Sequence, residues 1–371
     1  MAVYIHQHKD WPQFSWNDEQ LTLLLAQVRH RQGRLTGRME SLGFSLREEA
    51  ELEALTVEVV KSTEIEGEIL ETGQVRSSIA RRLGMDIGGL IPSDRNIDGV
   101  VEMMLDATQN FEAPLTKERL YNWHAALFPI GRSGMYKIIV SAWRTADKGP
   151  MQVVSGAMGR ERVHFEAPDA ALLDEEMDKF LVWFNGSQQI DPVLKAAIAH
   201  FWFITIHPFD DGNGRIARAI ADMQFARADG TKQRFYSMSE QIRLERNGYY
   251  EILEKTQKGS LDITGWMEWF LHCLDRALTA TESSLAVILR KARYWETFST
   301  KTINERQRLI LNKLLDGFVG KLTSSKWAKI AKCSQDTALR DIQSLLEQGI
   351  LVKGDGGGRS TGYGLREIDG R

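Results

Sequence analysis

The chain has 371 residues, of which 43% are hydrophobic and 26% are charged, and its formal net charge at pH 7 is −3. This composition is typical of a globular protein with two or three domains, and it excludes a long low-complexity or disordered tract. Two cysteines, Cys273 and Cys333, are too few for a disulfide framework, and no apolar run is long enough to cross a bilayer, so we expect a cytoplasmic protein with no membrane role.

Residues 1–95 are predicted to form a helical N-terminal region, with helices from about Asp18 and over 72–83. Between them, residues 46–66 predict a helix that is charged on one side and apolar on the other. This helix ends in the run Ser62-Thr63-Glu64-Ile65-Glu66-Gly67. Taken alone, a glutamate beside a glycine indicates an ordinary C-terminal helix turn.

Residues 96–298 are predicted to form the central domain, which begins with helices over 96–110 and 117–128. Glycines and β-forming residues between 153 and 168 predict a β-hairpin. Its second strand would contain Arg162, Val163 and His164. An unpaired strand edge of this kind is suited to binding an extended peptide. His164 itself is at least as readily explained as a surface histidine that binds no ligand.

The most informative segment is the run of twelve residues from His207 to Arg218, which reads His-Pro-Phe-Asp-Asp-Gly-Asn-Gly-Arg-Ile-Ala-Arg. An apolar helix should end near His207, because proline disfavours helical geometry in the preceding residue, and this would expose the imidazole at a loop mouth. An unperturbed histidine with a pKa of about 6.5 can accept a proton at neutral pH. Asp211 is a hard oxygen ligand of the kind that Mg²⁺ takes.

The second half of the run predicts an anion site. Gly212 and Gly214 bracket Asn213, and a backbone free of side chains can direct its N–H groups at an anion. The residues that follow have helical periodicity, which would place the anion at a helix N-terminus. Arg215 and Arg218 are three residues apart, so both lie on one helix face and can bind phosphate oxygens.

The last 73 residues, 299–371, predict a separate domain after a helix over about 278–298. Residues 301–371 contain 13 Lys and Arg against 8 Asp and Glu, and they predict three helices (305–318, 325–331 and 335–348), a strand at 350–353, a glycine-rich loop at 354–358 and a strand at 363–365. This order is that of a winged helix-turn-helix. DNA binding would place cations on phosphate, namely Lys326, Lys329, Lys332, Arg340 and Arg359. The alternative is a dimerisation or docking module, because the third helix also contains Asp336, Asp341 and Glu347.

The run from His207 to Arg218 resembles the motif His-Pro-Phe-x-(Asp/Glu)-Gly-Asn-Gly-Arg-x-x-Arg of the Fic (Fido) family at every specified position. The resemblance implies a mainly helical core over about residues 100–290 and transfer of AMP from ATP to a hydroxyl of a target protein. It implies these roles: His207 as general base, Asp211 as Mg²⁺ ligand, Gly212, Asn213 and Gly214 as anion hole, and Arg215 and Arg218 as ligands of the β- and γ-phosphates.

The same resemblance implies functional roles for three further segments. Ser62, Glu66 and Gly67 match the family's inhibitory motif (Ser/Thr)-x-x-x-Glu-(Gly/Asn), in which Glu66 would pair with Arg218. The 153–168 hairpin would be a flap that docks the target backbone, with His164 near the nucleotide. Tyr249, Tyr250 and Gln257 correspond to positions that contact adenine in relatives, although tyrosines at helical spacing are as often core residues.

The sequence therefore predicts a mainly α protein: a helical N-terminal region (1–95), a Fic catalytic domain with a β-hairpin flap (96–298) and a winged-helix domain (299–371). Its expected function is protein adenylyl transfer from ATP with Mg²⁺ to a Ser, Thr or Tyr hydroxyl, autoinhibited by Glu66. The chain itself is a candidate target, and DNA and a second copy are candidate partners. Two alternatives stay open: removal of AMP or transfer of another phosphate-linked group at the same site, and a nucleotide-responsive DNA-binding regulator.

Overall fold

The computed structural model describes residues 4–85, 89–156, 160, 162–315, 318, 320–354 and 361–367. The chain divides into two compact units, Met1–Thr281 and Glu282–Arg371. Residues 355–358 of the predicted glycine-rich loop and the predicted phosphate ligand Arg359 lie outside the described residues.

Helices dominate the first unit, and the prediction of a mainly α fold is confirmed. Their bounds are α1 (Asp18–Glu40), α2 (Phe44–Ile65), α3 (Thr72–Leu83), α4 (Arg95–Gln109), α5 (Lys117–Leu127), α6 (Leu173–Asn185), α7 (Pro192–Ile206), α8 (Asn213–Asp229), α9 (Met238–Leu244) and α10 (Arg246–Gln257). Short 3-10 helices cover Ile5–Gln7, Ala146–Lys148 and Ala170–Leu172. No helix in the described part of the chain has both the length and the apolar character needed to cross a membrane.

Two small antiparallel hairpins lie between α5 and α6. The first joins β1 (Arg132–Ser133) to β2 (Tyr136–Lys137). The second joins β3 (Gln152–Ser155) to β4 (Arg162–Glu166), with an irregularity in register between Val153 and Val154. The sequence predicted the second hairpin but not the first, because strands of two residues show no alternation of polar and apolar positions.

The core of the first unit is built around α7 and α8, which lie against each other. Every residue of α7 from Val193 to Ile206 is buried, as expected for a helix that is apolar on all sides. The N-terminal aromatic residues Trp11 and Phe14 pack edge-on against Trp202 of α7. The two helices therefore fix the loop 207–212 that joins them.

Helix α2 packs mainly on α9 and also contacts α3, α4 and α8. A buried carboxylate on this helix, Glu58, accepts hydrogen bonds from the Ser237 hydroxyl at 2.7 Å, the Ser239 backbone N–H at 3.0 Å and the Ser239 hydroxyl. Near the end of α2, Arg246 donates to the carbonyl of Ile65 at 2.8 Å. These bonds hold the C-terminal end of α2 in place beside α8.

The second unit has the element order α12 (Glu305–Leu315), α13 (Ser324–Ile330), α14 (Gln335–Glu347), β5 (Leu351–Lys353) and β6 (Tyr363–Leu365). Its core includes the buried side chains of Trp327, Leu311 and Leu345. A long helix, α11, spans Thr264–Thr297 and contributes residues to both units. The prediction that this helix starts near residue 278 was wrong, because Trp266, Phe270 and Leu274 continue its buried face toward the N-terminus.

Candidate active site

His207 ends α7 in an unusual backbone conformation, with φ 53° and ψ 58°. This left-handed region is uncommon for a residue with a side chain, and such residues cluster at functional sites. The conformation turns the chain sharply out of α7 into Pro208. The sequence predicted that the imidazole would be exposed at a loop mouth. In the structure the side chain is half-buried.

The His207 ring has a defined tautomer. Its Nδ1 lies 3.2 Å from the Ile204 carbonyl, which can only accept, so Nδ1 carries the proton and Nε2 carries the lone pair. Burial lowers the pKa of His207 from 6.5 to about 4, with a further lowering by Arg144. The ring is therefore neutral at pH 7 and can accept a proton on Nε2.

Arg144, which no sequence pattern indicated, braces the turn at His207. This buried arginine donates from Nε to the His207 carbonyl at 2.8 Å and from Nη2 to the Pro168 carbonyl at 2.6 Å. Its own N–H donates to the Pro208 carbonyl at 2.9 Å. One side chain thus links the left-handed histidine to Pro168, just after β4, and no local sequence pattern marks such a contact.

The loop after His207 is closed by Asn213. Its side chain accepts from the Phe209 N–H at 3.0 Å and donates to the Phe209 carbonyl at 2.8 Å. Phe209 is fully buried and stacks on His124, with ring centroids 4.2 Å apart. The Asn213 amide is therefore engaged with the loop, and only its backbone can belong to an anion hole.

His124 of α5, which no sequence pattern indicated either, supports the same loop. Its Nε2 lies 3.2 Å from the Asp211 carbonyl, so Nε2 is the donor. Burial lowers the pKa of His124 to about 4, which keeps this ring neutral. His124 thus fixes the backbone at Asp211 without adding charge.

Helix α8 begins without a side-chain cap. Its N-cap residue is Gly212, at φ 82°, which has no side chain to bond the first helical N–H groups. A Cβ at Gly212 would lie 2.9 Å from the Phe128 ring. The turn therefore requires glycine both for this close approach and for the positive φ. The uncapped N–H groups and the helix dipole make this end suited to an anion.

Asp211 has one carboxylate oxygen against the Ser133 hydroxyl of β1, and the other accepts from the Gly212 N–H at 2.6 Å. The Gly212 N–H is thereby directed at Asp211, not at the predicted anion. Among the described residues, no cluster of three or more His, Cys, Asp or Glu side chains could enclose a metal. A single carboxylate nevertheless fits Mg²⁺, which takes one or two carboxylates and completes its shell with phosphate oxygens and water.

The two motif arginines are both buried. Arg215 lies with its guanidinium 5.1 Å from the centre of the Phe128 ring and pairs with Glu68 at 3.3 Å. Arg218 donates from Nη2 to Glu66 Oε1 at 2.6 Å, from Nε to the Ser62 hydroxyl at 2.8 Å and from Nη2 to the Ser62 carbonyl at 2.7 Å. Ser62 and Glu66 thus both contact Arg218, although Glu66 and Arg218 are 152 residues apart in the sequence.

The Glu66 carboxylate also lies against the start of α8. A Cβ added to Gly214 would be 2.2 Å from Glu66 Oε1, so only glycine admits this approach. Glu66 is the C-cap of α2, and Gly67 follows with φ 89°. One acidic group therefore lies beside both the backbone at the start of α8 and Arg218.

Strand β4 is tied to α10 through Glu254, a residue that the sequence did not predict to be part of the site. Arg162 donates to Glu254 at 2.9 Å, and His164 Nδ1 lies 2.6 Å from its other oxygen. Although partial burial opposes it, hydrogen bonds from Lys258, His164 and Arg162 lower the pKa of Glu254 to about 2. His164 thus faces α10, whereas Val163 is exposed.

The three predicted adenine contacts lie at different depths in α10. Tyr249 is buried and its hydroxyl lies 2.8 Å from His200 Nε2, and buried Gln257 donates to Thr205 at 3.2 Å. Tyr250 is 36% exposed, and the guanidinium of Arg246 lies 5.2 Å from its ring centre. Tyr249 and Gln257 use their polar groups inside the core, so Tyr250 is the one with an accessible ring.

Two family profiles match the chain. The profile described as the Fic/DOC family matches residues 114–225, which include α5, both hairpins, α7 and most of α8. A profile described as a domain of unknown function (DUF4172) matches residues 4–85, which include α2. The segment Ser62–Gly67 and the run His207–Arg218 thus lie in separately matched regions.

Curated relatives align with part of the chain. A protein adenylyltransferase Fic from Culex quinquefasciatus is 27% identical over 235 residues, which cover 62% of this chain and 42% of the relative. One of the same description from Drosophila yakuba is 34% identical over 112 residues, 30% of this chain and 20% of the relative. The chain thus spans less than half the length of the curated relatives it matches.

Solved structures show the same fold. A Fic family protein from Desulfovibrio desulfuricans G20 matches with a TM-score of 0.54 and 20% identity, covering 95% of this chain and 97% of the other. A Fic domain containing signaling protein from Bacteroides thetaiotaomicron matches with a TM-score of 0.50 and 21% identity, covering 70% and 94%. At this identity the likeness establishes the fold alone.

Proposed function

The chain is a member of the Fic/DOC family through residues 114–225, and from this premise we propose that it transfers AMP from ATP to a Ser, Thr or Tyr hydroxyl of a target protein. We further propose that Glu66 inhibits this activity in the resting state. The observation that carries the proposal is the assembly, at one helix start, of a neutral imidazole, an uncapped backbone and two buried arginines.

In the proposed reaction, Nε2 of His207 accepts the proton of the target hydroxyl as its oxygen attacks the α-phosphorus. The bond between the α-phosphorus and the bridging oxygen to the β-phosphate breaks, and pyrophosphate leaves. The N–H groups at the start of α8 stabilise the charge on the phosphate oxygens, and Arg215 and Arg218 hold the β- and γ-phosphates. Most of the rate enhancement then comes from positioning and charge stabilisation.

The Asp211 carboxylate would hold Mg²⁺, which neutralises phosphate charge when bound. Ser133 and Gly212 fix the orientation of this carboxylate, and His124 fixes its backbone. These contacts support a role for Asp211 as the one hard oxygen donor near the start of α8.

Inhibition follows from the position of Glu66. Its carboxylate takes the guanidinium that would otherwise bind the γ-phosphate, and its negative charge beside Gly214 opposes a phosphate there. A charge-assisted bond of 2.6 Å to a buried arginine is strong because little water competes for it. ATP must displace Glu66 before its phosphates can align for attack.

The test uses ATP labelled at the α-phosphate with wild type, Glu66→Gly and the double variant Glu66→Gly/His207→Ala, each alone and with a cell extract as a source of targets. We expect strong labelling of protein only with Glu66→Gly. Equal labelling by all three would remove His207 from the mechanism. Label that enters only from γ-labelled ATP would indicate phosphoryl transfer instead.

A second proposal concerns the second unit, which we propose binds DNA. Asp341, counted above against a DNA-binding surface, is buried and accepts from Arg306 at 2.9 Å and from Asn304 at 3.0 Å. Its charge is therefore neutralised inside the unit. The four described candidate cations are exposed: Lys326, Lys329, Lys332 and Arg340.

Fluorescence anisotropy with a labelled DNA duplex tests this proposal on the full chain. Lys329→Glu should weaken binding, and the affinity should fall steeply as salt rises, because phosphate contacts release counterions. Lys313→Glu, an exposed lysine on α12, is the matched control. Equal affinities for both variants and the wild type would contradict the assignment.

A further inference from the structure

We propose that Glu68 is a second inhibitory carboxylate, which competes with the β-phosphate of the nucleotide for Arg215. This inference rests on the proposed function, and it adds a residue outside the segment Ser62–Gly67 that matches the inhibitory motif. In this role Glu68 would control whether the resting site can bind a β-phosphate. Glu66 and Glu68 would then block two phosphate positions separately.

The contact that carries the proposal is the ion pair between Glu68 Oε2 and Arg215 Nη1, at 3.3 Å. The two partners differ in exposure: the Arg215 side chain is 3% exposed and the Glu68 side chain is 52% exposed. Arg215 is held beneath the Phe128 ring, whereas Glu68 reaches in from solvent. The arginine is therefore fixed and the carboxylate is the displaceable partner.

Arg215 also has donor capacity to spare. Its Nε is buried, and in the described part of the chain it has no hydrogen-bond partner. A guanidinium presents five N–H donors in a planar fork, which matches phosphate better than one carboxylate oxygen at the edge. A β-phosphate could use donors that Glu68 leaves unbonded, so an exchange of partners is favourable once the nucleotide is seated.

Each of the two arginines pairs with its own carboxylate. Gly67, at φ 89°, lies between Glu66 and Glu68 and turns the chain as it leaves α2. Arg215 and Arg218 are three residues apart on one face of α8. The turn at Gly67 therefore allows each arginine its own carboxylate, as the two ion pairs of 2.6 Å and 3.3 Å show.

The effect of Glu68 on affinity should depend on which phosphates a nucleotide has. AMP has no β-phosphate, so its affinity should not depend on Glu68, whereas ADP must compete with Glu68 for Arg215. The half-exposed pair is screened by solvent, and we expect a gain of about two- to fivefold in ADP affinity when the charge is removed. Glu66→Gly would leave this second block in place.

Isothermal calorimetry with AMP and ADP, at constant Mg²⁺, tests the proposal on the full chain. Glu68→Gln should tighten ADP by about two- to fivefold and leave AMP unchanged. The matched control is Glu53→Gln, because Glu53 is 60% exposed and pairs with Arg76 at 3.4 Å, away from the motif. This variant should bind both nucleotides as the wild type does.

Three outcomes separate the two proposals. No change in ADP affinity with Glu68→Gln, or an equal gain for AMP and ADP, would overturn the role of Glu68 while leaving adenylyl transfer intact. Binding of neither nucleotide by any variant, Glu66→Gly included, would overturn the proposed function and this inference with it. A gain for ADP alone, together with faster α-labelling by Glu66→Gly/Glu68→Gln than by Glu66→Gly, supports both.

Discussion

Arg218 of α8 donates to Glu66 at the end of α2 at 2.6 Å, and the same guanidinium donates to the hydroxyl and the carbonyl of Ser62. The helix that we propose to inhibit the site thus binds this arginine through three acceptors from two residues. Only Glu66 contributes a charge. The two serine contacts set the position of the guanidinium relative to that charge.

Ser62→Ala should therefore weaken inhibition without abolishing it. The variant loses one hydrogen bond to a charged group, worth about 1.5–3 kcal/mol, so basal α-labelling should rise by about ten- to a hundredfold, less than with Glu66→Gly. Labelling rates at equal protein concentration measure this. Ser41→Ala, at the exposed end of α1, is the control, and an unchanged rate for Ser62→Ala would argue against the serine contact.

The pH dependence of the activated variant should report the lowered pKa of His207. The base must be neutral, so activity is present above the pKa and is lost as pH falls through it. Because burial lowers that pKa from 6.5 to about 4, the rate of Glu66→Gly should stay nearly constant from about pH 8 down to about pH 6. An acidic midpoint at 6.5 or above in kcat/KM would show that the ring titrates as a free imidazole.

Arg144→Met should lower stability and activity together. It removes the donors that the carbonyls of His207 and Pro168 use, and buried acceptors without partners cost about 1–3 kcal/mol each. We expect a loss of about 3 kcal/mol in the free energy of unfolding and a lower kcat, because His207 loses its brace. Denaturant unfolding measures the first. Arg95→Met, an exposed arginine at the start of α4, should change neither.

Glu254→Gln should loosen the flap. The folded pKa of Glu254 is lowered to about 2, so the ionised form supports the fold above its ordinary value of 4.5, and this support is lost as pH falls toward 2. Removing the charge at pH 7 should speed amide hydrogen exchange in β3 and β4. Glu251→Gln, an exposed carboxylate on the same helix, is the control, and equal exchange in both variants would mean that Glu254 does not hold the strands.

The sequence predicted the conformation of those parts of the candidate site that are contiguous. The run from His207 to Arg218 places a helix end, a loop and a helix start in twelve residues, and its geometry follows from local rules about proline and glycine. Arg144, Ser133 and Glu254 could not be found in this way. Each acts through one contact made across the fold, and no neighbouring residue in the sequence marks it.

Burial was the other quantity that sequence alone could not supply. Whether Tyr249 contacts a ligand or the core depends on its depth in α10, and helical spacing is the same in both cases. The pKa of His207 likewise depends on how much of the ring is enclosed. Asp341 illustrates the same point in the second unit, because its charge counts toward the surface only if it faces outward.

The central claim is that His207 is the base for adenylyl transfer at a site that Glu66 holds closed. The most direct measurement is the initial rate at which α-labelled phosphate enters protein with Glu66→Gly and with Glu66→Gly/His207→Ala. We predict that loss of the imidazole lowers this rate by at least about a hundredfold while nucleotide affinity changes little. Equal rates in the two variants would contradict the account.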